Sequence, residues 1–118
     1  MDFSLILKRI RQFRDARDWE QFHTLKNLVA ALSIEVAELQ EIFLWKTDPD
    51  STDYMTSDDG HSKISDEVAD VLIYTLLFAD TAKIDVEQAI IRKLEKNEEK
   101  YPVDLSKGRA TKYDRLEE

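Results

Sequence analysis

The chain has 118 residues, a formal net charge of −8 and 36% charged residues, with two glycines, two prolines and no cysteine. Without cysteine there can be neither disulfides nor thiolate metal sites. An acidic chain binds long nucleic acid poorly, and no apolar run approaches the roughly 20 residues that cross a bilayer. The scarcity of turn residues points to an all-α protein. Its length points to a single domain over residues 1–118, with a small core that pairing with another copy would complete. The start, MDFSLILKRIRQF, carries charges inside its apolar stretch and has no small-residue cleavage site. It does not read as a signal peptide, and a cytoplasmic location is expected.

The first helix is expected over residues 3–16, where Phe3, Ile6, Leu7, Ile10 and Phe13 recur at helical spacing and Lys8, Arg9, Arg11 and Arg14 fill the other face. RDWEQFHT then reads as an irregular or one-turn segment. Thr24 is the expected N-cap of a second helix from Leu25 to about Leu44. Residues 47–62, TDPDSTDYMTSDDGHS, are polar, hold a proline and a glycine and lack a period, and so read as a loop. Ser62 or Ser65 is the expected cap of a third helix ending near Ala82. Asp85 and Gln88 form the opening box of a fourth, which ends near Lys100 before Pro102. Residues 103–118 read as an extended polar tail. Four main helices with short connections pack as a bundle.

The second helix carries three glutamates. On a helical wheel Glu35 falls inside the stripe of Leu28, Leu32, Leu39 and Ile42, with Glu38 beside it and Glu41 on the polar side. The third helix repeats the pattern: Glu67, Asp70 and Tyr74 form one strip beside the apolar run VLIYTLLFA. A lone acidic i, i+3 pair is common on a solvated face, whereas two pairs bordering the core on successive helices need cations to balance them. Antiparallel packing of the two helices would gather Glu35, Glu38, Glu67 and Asp70 into a cluster of oxygen ligands suited to Mg²⁺, Mn²⁺ or Ca²⁺. A di-iron bundle needs a Glu-x-x-His motif, which His23 and His61 do not supply.

These residues resemble the metal motif of the MazG-like, all-α nucleoside triphosphate pyrophosphohydrolases. RDWEQFHTLKNL (17–28), FLWKTD (43–48), DVLIYTLLFAD (70–80), KLEKNEEKYP (93–102) and KGRATKYD (107–114) are similar to the small deoxycytidine triphosphate pyrophosphatase branch. The resemblance implies Mg²⁺-dependent cleavage between the α and β phosphates of a nucleoside triphosphate, by a homodimer or homotetramer whose active sites draw on more than one subunit. By position it makes Glu35, Glu38, Glu67 and Asp70 the metal ligands. It also places Asn97, Lys112 and Tyr113 on the phosphate side. Ile34 stands where many members carry a second acid, Leu25 where the branch often has proline, and Ser33 where it has glycine.

The remaining candidates follow from the chemistry of the substrate. Lys26, Lys93, Lys96, Arg109 and Lys112 can hold phosphates, although a solvated face is the plainer reading of a lysine on the fourth helix. Trp19 and Trp45, the only tryptophans, flank the acidic motif and can stack on a base. His23 and Tyr74 can touch the ligand. Glu35 or Glu38 would orient or deprotonate the attacking water. Two other readings stand beside this one: a non-catalytic helical dimerisation module, which would not respond to metal, and the same fold acting on another nucleotide.

Overall fold

The structure, a computed structural model, describes residues 2–117. Among these there are six α-helices and no strand. Backbone contacts divide the chain into two compact units, one ending at Ile84 and the other beginning at Asp85.

In the first unit, α1 spans Phe3–Ala16, with the Asp2 carboxylate accepting from the backbone N–H groups of Ser4 and Leu5. A 3-10 turn, Glu20–Phe22, leads to α2, Leu25–Phe43. The Thr24 hydroxyl caps α2 by accepting from Asn27 N–H, as its place before the apolar run predicts. The side chain of Asn27 donates to Phe22 O and fixes the entry of the chain. Helix α4, Asp58–Thr81, packs along α2 and also against α1 and α3. Leu28 and Ile42 of α2 and Leu76, Leu77 and Ala79 of α4 are buried.

The stretch 47–62 corrects the expectation of a loop. It contains α3, Asp48–Thr56, and the first turn of α4. Thr47 caps α3 by accepting from Asp50 N–H, Pro49 sits in its first turn, and Asp48 and Asp50 complement the positive end of its dipole. The expected cap at Ser62 or Ser65 is also corrected. Ser57 ends α3 and begins α4, accepting from Gly60 N–H with its hydroxyl oxygen. Gly60 is buried where a Cβ would fall 1.8 Å from Tyr54 O, so the corner between α3 and α4 requires glycine.

The polar assignment of Arg14 is corrected as well. Arg14 is 7% exposed, whereas Phe13 is 52% exposed. Asp80 at the end of α4 draws the basic side of α1 inward: Arg11 donates from Nε to Asp80 Oδ2 at 3.1 Å, and Arg14 lies 3.6 Å from the same oxygen.

In the second unit, α5 spans Val86–Lys100 with Asp85 accepting from Gln88 N–H. The stretch 103–118 is not simply extended. It forms α6, Val103–Ser106, and a 3-10 turn, Tyr113–Arg115. Arg109 donates to Leu116 O at 2.7 Å, Leu116 is buried, and Tyr101 meets Tyr113 edge to face at 6.1 Å.

Candidate metal and nucleotide site

Packing of α2 on α4 sets Glu35 and Glu38 opposite Glu67. One carboxylate oxygen from each lies within 4.8 Å of the others. Glu35 and Glu67 are half-buried, while Glu38 is more exposed than its wheel position predicts. One oxygen of Glu35 and one of Glu67 are buried without a hydrogen-bond partner. Burial first, then hydrogen bonding to Glu38 and the charges of Glu38, Asp70 and Glu67, pushes the Glu35 carboxyl up to about 7. Glu67 is raised for kindred reasons, burial leading and the charge of Glu38 next. Asp70 stands outside the close triad, yet its charge presses on both.

Such a cluster has too much negative charge and too few donors. A hard cation would balance it, because every available ligand atom is a carboxylate oxygen. The two unpartnered oxygens are the specific features that a divalent ion would satisfy, so these residues fit one.

Next to the cluster lies a cavity of about 570 Å³ within the first unit. Asp70, Ile73, Tyr74 and Leu77 of α4 form one wall, and Ile6, Arg9, Ile10, Phe13 and Arg14 of α1 form another. Trp19 and His23 complete it, with Trp19 packed edge-on against Phe13 at 5.7 Å. A mostly apolar cleft with a few convergent polar groups suits a small ligand. His23 Nδ1 is buried without a partner, and burial followed by the charge of Arg14 lowers its pKa.

The predicted residues separate into those gathered here and those elsewhere. Glu35, Glu38 and Glu67 form the triad, and Asp70 and Tyr74 join it to the cavity that also holds Trp19 and His23. Lys26 is exposed at the start of α2 and does not line the cavity. Trp45 lies beyond the end of α2, 93% exposed, in the left-handed region at φ 68°. Lys93, Asn97, Arg109, Lys112 and Tyr113 belong to the second unit. There Asn97 is half-buried, Lys93 and Lys112 are exposed, and Arg109 is bonded to backbone carbonyls. Arg9 and Arg14 were missed as cavity residues. The only signal for Arg14 was its place one turn below Ile10 on the face that also bears Ile6.

Three kinds of similarity bear on this site. Residues 30–116 match the model of the MazG-like family. The chain is 42% identical over 102 residues to mouse dCTP pyrophosphatase 1, covering 86% of this chain and 60% of that protein. The human protein of the same name is 38% identical over 105 residues, with 89% and 62% covered. The chain therefore spans about three fifths of the length of these curated relatives. A crystal structure of a pyrophosphatase from Archaeoglobus fulgidus superposes with a TM-score of 0.77 at 45% identity, covering 84% of this chain and 91% of that one.

Proposed function

The chain belongs to the MazG-like family, and on that premise we propose that it is a divalent-metal-dependent nucleoside triphosphate pyrophosphohydrolase acting on dCTP or a 5-modified dCTP. Residues 1–118 act as one catalytic domain in this reading, cleansing the nucleotide pool. The observation that carries it is the triad of Glu35, Glu38 and Glu67, in which Glu35 and Glu67 each bury one oxygen without a partner, beside a cavity of nucleotide size. The names of the similar proteins support both the reaction and the base.

Glu35, Glu38, Glu67 and Asp70 would hold the ion, with Mg²⁺ the expected species and Mn²⁺ a substitute. When bound, it supplies neutralisation of the triphosphate and of charge developing in the transition state. The chain's own groups do the rest. Glu35 or Glu38, ionised, orients a water and takes its proton. The water oxygen bonds to the α-phosphorus, the α–β bridging bond breaks, and pyrophosphate leaves with the bonding electrons. Trp19 offers a face for the base, and Tyr74, one turn after Asp70, lies where a sugar or phosphate oxygen would pass.

Phosphate contacts from Lys26, Lys93, Asn97, Arg109, Lys112 and Tyr113, and a base contact from Trp45, belong to the proposal through the resemblance of their sequence words. Self-association into a dimer or tetramer belongs to it too. Val29, Ile34 and Val36 on α2 and Val68 and Leu72 on α4 are exposed in the single chain, an apolar load that a second copy would cover.

Glu38→Gln tests the reading. It keeps size and removes the charge, so turnover should fall at least about a hundredfold with helical content intact. Unchanged turnover in that variant would contradict the assignment.

A further inference from the structure

The chain leaves α2 through a turn that ordinarily asks for glycine. Phe43 O accepts from Lys46 N–H at 3.0 Å, Leu44 lies at φ −59° and ψ 130°, and Trp45 follows at φ 68°. These are the angles of a type II turn, whose third position favours glycine or asparagine because φ is positive there. Here that position carries a tryptophan, 93% exposed. A large ring in such a conformation persists only where its surroundings over-determine it.

The residues on either side supply that determination. The end of a helix leaves carbonyls without partners. In α2, Glu41 O accepts from Leu44 N–H at 3.2 Å, Phe43 O accepts from Lys46 N–H, and the Lys46 ammonium donates to Ile42 O. A cation at that end also answers the negative pole of the helix. The same ammonium lies 4.8 Å from the centre of the Tyr54 ring, within cation–π range. Tyr54 is held in turn. Its carbonyl accepts from the Ser57 hydroxyl at 2.6 Å and from Ser57 N–H at 3.1 Å, at the corner that Gly60 closes. Helix α3, which carries Tyr54, buries none of its residues and supplies nothing to the acidic triad or to the cavity. Its ring contact with Lys46 ties it back to the end of α2.

We propose that Lys46 and Tyr54 are positioning residues that hold the Trp45 ring projecting from the end of α2, with α3 as the brace behind them. The inference rests on the proposed base contact of Trp45. A ring fixed in advance meets a nucleotide without first losing its own freedom. The brace therefore acts on substrate affinity and not on the bond-breaking step.

Trp45 fluorescence is isolated in Trp19→Phe, and its anisotropy decay is compared with that of the same chain carrying Lys46→Met, Lys46→Arg, Tyr54→Leu or Tyr54→Phe. Methionine keeps an unbranched stem without the ammonium, arginine keeps a charged donor, and phenylalanine keeps the ring. The share of the decay that comes from nanosecond ring motion should at least about double in Lys46→Met and Tyr54→Leu, and stay within about a fifth of the parent in Lys46→Arg and Tyr54→Phe. An unchanged decay in Lys46→Met would overturn the inference. Lys46 is exposed, so this variant decides alone if Tyr54→Leu does not fold. With both tryptophans present, and with Mg²⁺ and dCTP, Lys46→Met should raise KM at least about threefold with kcat within about twofold, and should add nothing to Trp45→Ala. A rise in KM that persists undiminished in Trp45→Ala would also overturn the inference. If Lys46→Met frees the ring while Trp45→Ala leaves KM unchanged, the base contact is refuted and the positioning stands.

Discussion

Glu35 on α2 and Glu67 on α4 place carboxylate oxygens within 4.8 Å of each other, and each also buries an oxygen that no hydrogen bond reaches. Two acids so arranged repel in the bare protein and attract a cation. Added Mg²⁺ or Mn²⁺ should therefore raise Tm, by an amount equivalent to about 2.7 kcal/mol at a hundredfold excess over Kd. EDTA should reverse the rise. Glu35→Gln should raise the metal-free Tm and abolish most of the metal response, both readable by differential scanning fluorimetry.

The raised Glu35 fixes the sign of a pH effect. Its pKa moves from 4.5 to about 7 on folding, so the folded chain holds this proton where the unfolded chain has lost it. The associated stability is complete below the ordinary value and is lost as pH rises through the folded one. In EDTA the wild type should lose stability between about pH 5 and about pH 8 more steeply than Glu35→Gln. With Mg²⁺ the sign reverses, because the ion needs ionised ligands and its affinity grows across the same range. Parallel denaturant curves for the two proteins would contradict the assigned shift.

Asp80 behaves oppositely. Hydrogen bonding from Arg11, together with the charges of Arg11, Arg14 and Lys83, outweighs its burial and holds its carboxyl below the usual 3.8. Its contribution is present above that value and is lost as pH falls through the folded value. Asp80→Asn should cost about 1–3 kcal/mol near neutrality, by urea unfolding, and progressively less in acid.

Trp45 is 93% exposed at a backbone angle that disfavours a large side chain. A ring held out in that way is well placed to meet a second copy. Trp45→Ala should weaken self-association in sedimentation velocity while leaving the helical circular dichroism unchanged. An unaltered species distribution would exclude the ring from the interface and leave it the proposed base contact alone.

The long helices were legible because period and caps agreed. Thr24 and Asp85 cap where the apolar rhythm begins, and Phe3–Ala16 and Val86–Lys100 follow directly. Helix α3 was hidden because its residues are nearly all polar, so no rhythm marked it, although Thr47, Pro49 and two acids signalled a helix start. At the site, the acidic pairs were legible as residues out of place on apolar faces. Arg14 was not, since an arginine on an amphipathic helix ordinarily faces water. In the fold it lies among three carboxylates, Asp15, Glu20 and Asp80, the last of them 66 residues further on.

The most direct test of the central claim is a panel in which each dNTP and NTP is incubated with Mg²⁺ and pyrophosphate and orthophosphate are scored separately. The expected result is pyrophosphate, with the nucleoside monophosphate, from dCTP or a few deoxynucleotides, lost on adding EDTA. Orthophosphate as the product, or no product from any nucleotide, would contradict it.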